Sequence, residues 1–197
     1  MKPIIGIISR EYKSASNKKI NVVYNDIISS VIKSNGIPIG IPYDEDISNY
    51  LNICKGFILQ GGDDINKQNL KTIKTLKKKN IPTLGICLGM QEMFYHNNLV
   101  DVPNHQINTL HEIKINKGTL LYKIVKKEKL LVNSRHKSAI KNTNYIVSSI
   151  SKDNIIESIE DPNQSFFLGL QWHPENLYKI DSSSRKIFDY FIKICKN

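Results

Sequence analysis

Residues 84–91 read Leu-Gly-Ile-Cys-Leu-Gly-Met-Gln, an apolar run that leads into a cysteine between two glycines and then into a helix-forming segment. A cysteine in a Gly-x-Cys-x-Gly turn between a strand and a helix is held exposed at the carboxyl end of the sheet. Backbone N–H groups and the positive end of the helix dipole stabilise a thiolate there. The pattern predicts that Cys87 is a nucleophile, although a lone cysteine is more often a small buried thiol.

The first half of the chain alternates apolar runs typical of buried strands with amphipathic helical segments. This alternation predicts an α/β fold with a doubly wound parallel sheet. After residue 88 the pattern changes to short strands separated by turns, so we expect the sheet to become mixed there. The predicted strands are 4–9, 37–41, 56–60, 81–86, 111–115, 129–132, 145–151, 155–159 and 167–171. The predicted helices are 24–35, 69–79, a segment from 88, and 182–196, the last capped by Ser182, Ser183 or Ser184.

The composition of the 197 residues fits one soluble domain spanning 1–197. With 28 basic and 18 acidic residues the formal charge is +10, which attracts anions in general. The basic residues lack the interleaved aromatic side chains of single-strand binders, so we expect no nucleic acid partner. The cysteines at 54, 87 and 195 have neither disulfide nor metal-ligand spacing. Without a signal peptide pattern or a bilayer-length apolar run, a cytoplasmic protein with no membrane association is predicted.

A second motif, residues 169–175, reads Gly-Leu-Gln-Trp-His-Pro-Glu. A thiolate that attacks a carbonyl needs a nearby base and a group that orients the base. Pro174 restricts His173 to extended backbone, where positions two apart face the same side, so Glu175 is expected to reach the imidazole and hold its tautomer. Alone, His-Pro-Glu is more often a surface turn. Its occurrence with a cysteine turn in the same alternating chain favours the catalytic interpretation.

Donors for an oxyanion are the third requirement of such chemistry. Gly61 and Gly62 follow a predicted strand directly and can bring backbone N–H groups close to a ligand, and the N–H of Leu88 is a second donor. A tight turn is the structural alternative for the glycine pair. Gln91 lies one helical turn after Cys87, and it either binds a substrate amide or carboxylate or is a surface glutamine.

These motifs together resemble the class I glutamine amidotransferase-like proteins, and within them the γ-glutamyl-γ-aminobutyrate hydrolase branch, also called the C26 peptidases. The resemblance covers nearly the whole chain. It implies a flavodoxin-like, mostly parallel mixed sheet with helices on both faces, and a γ-glutamyl thioester formed on the cysteine without a metal or organic cofactor. Further segments match patterns of that branch: 61–64 (Gly-Gly-Asp-Asp), 111–113 (His-Glu-Ile), 132–136 (Val-Asn-Ser-Arg-His) and 156–160 (Ile-Glu-Ser-Ile-Glu).

Position by position, the resemblance implies that Cys87 is the nucleophile, His173 the general base and acid, and Glu175 its orienting residue. Gly62 and Leu88 are then the oxyanion donors. The resemblance also implies that Gln91, Ser134, Arg135 and His136 lie near the glutamyl moiety. Gly61 and Lys137 are further candidate substrate-binding residues.

The chain departs from the pattern of that branch in segments that border the site. The stretch between residues 62 and 82 is shorter than in that branch and lacks its usual Tyr-Gly-Glu and Arg-Asp elements. Lys137 and Ser138 replace a histidine and a glutamine, and an Asn-Asn pair at 97–98 stands where a glycine pair is expected. The glutamyl half of the substrate is therefore better defined than the leaving half.

The sequence thus predicts a hydrolase that cleaves a γ-glutamyl amide of a small molecule and releases L-glutamate. A γ-glutamyl-γ-aminobutyrate-like compound is the default substrate, whereas Lys137 and the basic composition favour a more anionic leaving group, such as that of γ-glutamyl-CDP. One alternative is a glutaminase subunit that supplies ammonia to a partner synthetase. Another is a non-catalytic binding module of the same fold, against which the intact triad argues. A homodimer is left open.

Overall fold

The computed structural model describes residues 1–42, 46–65, 67–95, 98–105 and 109–196. Its strands are β1 (Ile4–Ile8), β2 (Arg10–Lys13), β3 (Lys19–Val22), β4 (Ile37–Ile41), β5 (Gly56–Leu59), β6 (Thr83–Ile86), β7 (Leu99–Asp101), β8 (Thr109–Ile115), β9 (Lys129–Ser134), β10 (Ser138–Ile140), β11 (Ile146–Ser151), β12 (Ile156–Glu160) and β13 (Phe167–Leu170). Its α-helices are α1 (Asn25–Lys33), α2 (Lys67–Lys78), α3 (Leu88–Met93), α4 (Leu120–Val125), α5 (Pro174–Leu177) and α6 (Ser182–Ile194). Short 3₁₀ helices cover Ile47–Tyr50 and Pro103–His105.

Nine of these strands form one sheet in the order β4-β1-β5-β6-β13-β12-β11-β8-β9. The strands from β4 to β13 pair in parallel, and those from β13 to β9 pair antiparallel. Parallel neighbours need long crossover connections, which the helices of the first half supply, whereas antiparallel neighbours can follow one another through short turns. The predicted change from a parallel to a mixed sheet is confirmed.

Helices cover both faces of the sheet, as predicted. Side chains of a strand alternate between the two faces, so in β5 Ile58 belongs to one core while Phe57 and Leu59 belong to the other. Helices α1, α4, α5 and α6 pack in the first core, and α2 and α3 pack in the second.

Several short elements were not predicted from the sequence. The β2–β3 hairpin is mostly exposed, and β7 pairs with β10 in a separate small sheet. Helix α4 begins after Thr119, whose hydroxyl accepts the N–H of Tyr122, and ends at Lys126 in a left-handed conformation. Elements of three to six residues contain too few repeats for a hydrophobic period to show.

The cap of the last helix differs from the prediction. Asp181, and not one of the serines, precedes α6, and its carboxylate accepts the N–H groups of Ser183 at 3.1 Å and Ser184 at 2.6 Å. A carboxylate has two oxygens and can satisfy two free N–H groups, and its charge complements the helix dipole. Asn97 of the asparagine pair lies outside the described residues. Among the residues that are described, no helix has the length and apolar character needed to cross a membrane.

Candidate active site

The candidate site lies at the carboxyl ends of four neighbouring parallel strands. Arg10 follows β1, Gly61 follows β5, Cys87 follows β6, and His173 comes shortly after β13. The chain passes from β1 outward to β4 and then returns to the other side of β1 at β5. In open α/β sheets such a reversal leaves a crevice outside the carboxyl ends of the strands, which is where ligands bind.

Cys87 occupies a backbone conformation that side-chain-bearing residues rarely adopt, with φ of 52° and ψ of −110°. Such strain costs on the order of 1–3 kcal/mol and is typical of functional turns. Gly89 makes the turn feasible, because a Cβ there would lie 2.0 Å from the carbonyl oxygen of Leu59. The structure thus contains the sharp strand-to-helix turn that the glycine spacing predicted. The expected exposure of the cysteine is wrong, because Cys87 is only 6% exposed, although it lines a cavity.

His173 and Glu175 form a close pair, with Nδ1 of the imidazole 2.7 Å from Oε1 of the carboxylate. The expected extended backbone through Glu175 is wrong, because Pro174 begins the short helix α5 and Glu175 lies in its first turn. Proline suits the first helical position, where its missing N–H is not needed. The first helical turn therefore brings the carboxylate to the imidazole.

The electrostatics of this pair favour the imidazolium form. Burial lowers the pKa of His173, but the Glu175 carboxylate and the adjacent Cys87 sulfur outweigh burial and raise the pKa to about 10. Because Glu175 engages Nδ1, the other ring nitrogen is left to interact with Cys87. The imidazole is thus oriented and charged beside the sulfur.

Gly61 lies against His173 and Cys87, and Gly62 lies against Arg10 and Leu88. A Cβ on Gly61 would be 3.0 Å from Cε1 of His173, and one on Gly62 would be 3.0 Å from Cδ2 of Leu88. A side chain at either position would crowd these neighbours, so close packing as well as a tight turn favours glycine here. The two predicted oxyanion donors, Gly62 and Leu88, are neighbours in the structure.

A buried ion pair supports this glycine loop. The Arg10 guanidinium donates from Nε to the carbonyl of Gly61 at 3.1 Å, and from Nη2 to the carbonyl of Gln60. Its other contacts are to the Glu92 carboxylate, which also accepts a bond from Asn69 at 2.8 Å. Sequence reasoning missed this pair, although a charged residue directly after a buried parallel strand is an available signal.

Gln91 is 2% exposed, so the surface alternative is wrong. Its side-chain nitrogen donates to the Ser138 carbonyl at 2.7 Å and to Oε1 of Gln171 at 3.1 Å. Gln171 in turn donates to Sγ of Cys87 at 3.7 Å. Sequence reasoning did not single out Gln171, although it lies within the 169–175 motif. The hydrogen bonds of Gln91 therefore reach the Cys87 sulfur through the side chain of Gln171.

The structure brings Asn133, and not Ser134, to His173. Asn133 accepts the backbone N–H of His173 at 2.9 Å and donates to its carbonyl at 3.2 Å. Neighbouring residues of β9 point to opposite faces, so Ser134 faces a different cavity, where its hydroxyl donates to the carbonyl of His105 at 2.8 Å. The expectation that Ser134 contacts the substrate is corrected accordingly.

Two adjoining cavities open on Cys87. The larger, about 430 Å³, is lined by the predicted triad of Cys87, His173 and Glu175, by Arg135 and by the carboxylates Asp26 and Asp63. The smaller, about 60 Å³, is lined by Gln91, Arg135, His136 and Lys137 among others. Arg135 thus borders both cavities, whereas Lys137 borders only the smaller one.

Residues 3–72 and 67–175 match the sequence model of the Peptidase C26 family. The gamma-glutamyl-CDP-amidate hydrolase of Campylobacter jejuni is 29% identical over 155 residues, covering 72% of each chain. The gamma-glutamyl-gamma-aminobutyrate hydrolase PuuD of Escherichia coli is 24% identical over 242 residues, covering 99% of this chain and 94% of PuuD.

A solved structure of the glutaminase domain of Trypanosoma brucei CTPS, with bound acivicin, aligns with a TM-score of 0.71 at 16% identity. The alignment covers 99% of this chain and 94% of that domain. This likeness confirms the predicted class I glutamine amidotransferase-like fold. With the family match spanning most of its length, the chain belongs to the peptidase C26 family.

Proposed function

We propose that this chain is a cysteine-dependent hydrolase of γ-glutamyl amide bonds in small molecules. The observation that carries the proposal is the meeting of the Cys87 sulfur, the His173 imidazole and the Glu175 carboxylate at one cavity. The names of two relatives, both γ-glutamyl hydrolases, support the substrate class. A non-catalytic module of this fold would have no need of a strained cysteine beside a charged imidazole.

In the first step Sγ of Cys87 attacks the γ-carbonyl carbon of the glutamyl group. A C–S bond forms, the C–N bond breaks, and the His173 imidazolium gives its proton to the departing nitrogen. Glu175 holds the ring in place throughout and stabilises its positive charge. The products of this step are a γ-glutamyl thioester and a free amine.

In the second step a water molecule attacks the thioester and gives a proton to the now neutral His173. The C–S bond breaks, L-glutamate leaves, and the sulfur and imidazolium are restored. The N–H groups of Gly62 and Leu88 would stabilise the oxyanion of both steps, and one such donor accounts for roughly 10²–10³ in rate in known enzymes. The Arg10 contacts to the carbonyls of Gln60 and Gly61 keep the first donor in position.

The two cavities suggest how the substrate lies. We place the glutamyl half toward the smaller cavity, where Arg135 and Lys137 can neutralise its carboxylate. The leaving half then occupies the larger cavity, whose volume of about 430 Å³ is within the usual range for small-molecule sites. Lys137 lies on the glutamyl side in this arrangement, so an anionic leaving group would depend on Arg135.

The proposal is tested by measuring glutamate release from glutamine, γ-glutamyl-γ-aminobutyrate, a γ-glutamyl dipeptide and γ-glutamyl-CDP. We expect release from at least one compound other than glutamine by the wild type, and none by Cys87→Ala. Cys54→Ala is the matched control, because Cys54 is buried away from the cavity and burial raises its pKa to about 11. Equal release by wild type and Cys87→Ala would contradict the proposal. Release from glutamine alone, dependent on an added synthetase, would instead identify a glutaminase subunit.

Two further variants test the leaving half. Arg135→Gln is expected to raise KM for γ-glutamyl-CDP more than for γ-glutamyl-γ-aminobutyrate, because a diphosphate carries more negative charge than a carboxylate. Lys137→Gln is expected to raise KM for both by the same factor. A larger selective effect of Lys137→Gln on γ-glutamyl-CDP would reverse the assignment of the two cavities.

A further inference from the structure

A second cluster of titratable side chains lies on the face of β9 that carries Ser134. His105 ends the second 3₁₀ helix, His111 belongs to β8, and Glu157 belongs to β12. One possible ligand atom from each of the three lies within 4.8 Å of the other two. The proposed γ-glutamyl reaction uses none of them.

Glu157 is the centre of this cluster and is 0% exposed. Its Oε1 lies 3.0 Å from Nε2 of His111 and 3.6 Å from Nδ1 of His105. Its Oε2 is also buried, and it has no hydrogen-bond partner among the described residues. A buried carboxylate oxygen without a partner is costly, so the site is one that a positively charged ligand would complete.

The tautomers of two neighbouring histidines also favour a positively charged ligand. His105 presents Nε2 to the Asp153 carboxylate at 3.0 Å, and His136 presents Nδ1 to the carbonyl of Ser138 at 3.1 Å. Both partners only accept hydrogen bonds, so these two nitrogens carry the ring protons. The remaining nitrogens then face each other with bare lone pairs at 3.1 Å, and the hydroxyl hydrogen of Ser134 is given to the His105 carbonyl. A cation beside Nδ1 of His105 would remove this conflict, and so would one extra proton on Nε2 of His136, which also lies 3.7 Å from Oε1 of Glu157.

We propose that this cluster binds one divalent transition-metal ion of the zinc type. The ligands are Nδ1 of His105, Nε2 of His111 and the Glu157 carboxylate, which together form a His₂Glu set suited to zinc. Asp153 holds His105 from outside, as carboxylates commonly hold metal-binding histidines. A cavity of about 270 Å³ lined by His105 and His111 gives the ion an access route and leaves room for a water ligand.

The observed separations suit a tetrahedral ion. Bonds of about 2.1 Å place neighbouring tetrahedral ligands about 3.4 Å apart. The two distances from Oε1 of Glu157 to the histidine nitrogens, 3.0 Å and 3.6 Å, lie on either side of that value. The third separation, between the two histidine nitrogens, is at most 4.8 Å, so side-chain movement would bring all three ligands to the ion. Binding would displace the proton between His111 and Glu157.

The position of the site suggests a structural role beside the substrate. The carbonyl of His105 accepts the N–H of His136 at 3.0 Å as well as the Ser134 hydroxyl at 2.8 Å. His136 also lines the smaller cavity next to Cys87. An ion held by His105 would thus fix the segment that forms one wall of that cavity.

The test is titration of the full chain with Co²⁺, followed by visible absorption, and with Zn²⁺, followed by equilibrium dialysis. We expect one ion per chain, with the d–d bands of a nitrogen and oxygen site and no sulfur-to-metal charge-transfer band. Asp153→Asn, at a half-exposed side chain, should weaken binding by about 10–100-fold. His111→Gln, which removes a ligand, should weaken binding by more than Asp153→Asn does.

Two control variants distinguish binding at this cluster from binding elsewhere on the chain. Glu112→Gln alters a carboxylate that lines the same cavity but pairs with Lys129, so its affinity should equal that of the wild type. Cys87→Ser should also retain binding, since the catalytic pair is not the proposed site. Added Zn²⁺ should raise the Tm of the wild type but not that of His111→Gln.

Three results would overturn the proposal. They are absence of a bound ion, unchanged affinity in both His111→Gln and Asp153→Asn, and loss of binding in Cys87→Ser together with a sulfur charge-transfer band in the wild type. The first would mean that an extra proton separates the histidines. None of these readouts depends on γ-glutamyl hydrolysis, so the two proposals can fail separately.

Discussion

Arg10 and Glu92 form a bidentate ion pair beneath the glycine loop of the active site, with Nη1–Oε1 at 2.8 Å and Nη2–Oε2 at 2.9 Å. Their side chains are 6% and 0% exposed. The pair connects the end of β1 to α3, the helix that follows the nucleophile. The same guanidinium donates to the Gly61 carbonyl, which precedes the N–H of Gly62, so the residue that stabilises the fold also positions the proposed oxyanion donor.

Removing one partner should therefore be costly. Arg10→Met or Glu92→Met leaves an unpaired charge in the interior, which is expected to lower the free energy of unfolding by about 3–5 kcal/mol. The double variant should lose less than the sum of the two single losses, because neither charge then remains buried alone. Urea unfolding of the four proteins measures this coupling, and additive losses would show that the pair contributes no interaction energy.

The strain at Cys87 predicts an unusual order of stability between two substitutions. Glycine normally destabilises relative to alanine by about 0.5–1 kcal/mol. At φ of 52° and ψ of −110°, however, alanine keeps strain of about 1–3 kcal/mol that glycine relieves. Cys87→Gly is thus expected to unfold at higher urea concentration than Cys87→Ala. The same pair of substitutions at Cys54, which does not have a positive φ, should show the ordinary order. If the alanine variant were the more stable one at both cysteines, Cys87 would be unstrained.

The charged pair of His173 and Glu175 predicts the alkaline limb of activity. The imidazolium must protonate the departing nitrogen. We therefore expect kcat/KM to stay constant as the pH rises towards the pKa of His173, about 10, and to fall above it. Glu175→Gln removes the main charge that raises this pKa, so the limb should move to lower pH. An NMR titration of the His173 ring in both proteins provides the comparison. An unmoved limb in Glu175→Gln would assign it to another group.

The same pKa has a consequence for stability. Because the folded pKa of His173 lies above its ordinary value of 6.5, the stabilisation by this pair is fully present below pH 6.5 and is lost as pH rises through about 10. His173→Gln should remove that part of the pH dependence of unfolding. A difference between wild type and His173→Gln that is constant from pH 6 to pH 10 would contradict the linkage.

The parts of the site that sequence predicts are those encoded by consecutive residues. The turn around Cys87 and the His173–Glu175 pair each lie within seven or eight residues, so spacing and residue type are enough to find them. Arg10 directly follows a buried strand and Gln171 lies within the 169–175 motif, so local patterns mark both positions. Their contacts in the site, like those of Asn133, depend on strand order and on the face of each strand, which local patterns do not reveal. The pairing of His111 with Glu157 depends on β8 and β12 lying on either side of β11. The spacing of these residues in the sequence does not predict that contact.

The central claim is that the substrate's γ-glutamyl group becomes bound to Cys87 as a thioester. Trapping this intermediate tests the claim most directly. Wild type and Cys87→Ala are mixed with the most rapidly hydrolysed γ-glutamyl compound, quenched in acid within the first turnover, and mapped by peptide mass spectrometry. We predict that one glutamyl group appears on the peptide containing Cys87 in the wild type, is removed by hydroxylamine, and is absent from Cys87→Ala. Rapid glutamate release with no glutamyl group on Cys87, and with undiminished release by Cys87→Ala, would contradict the account.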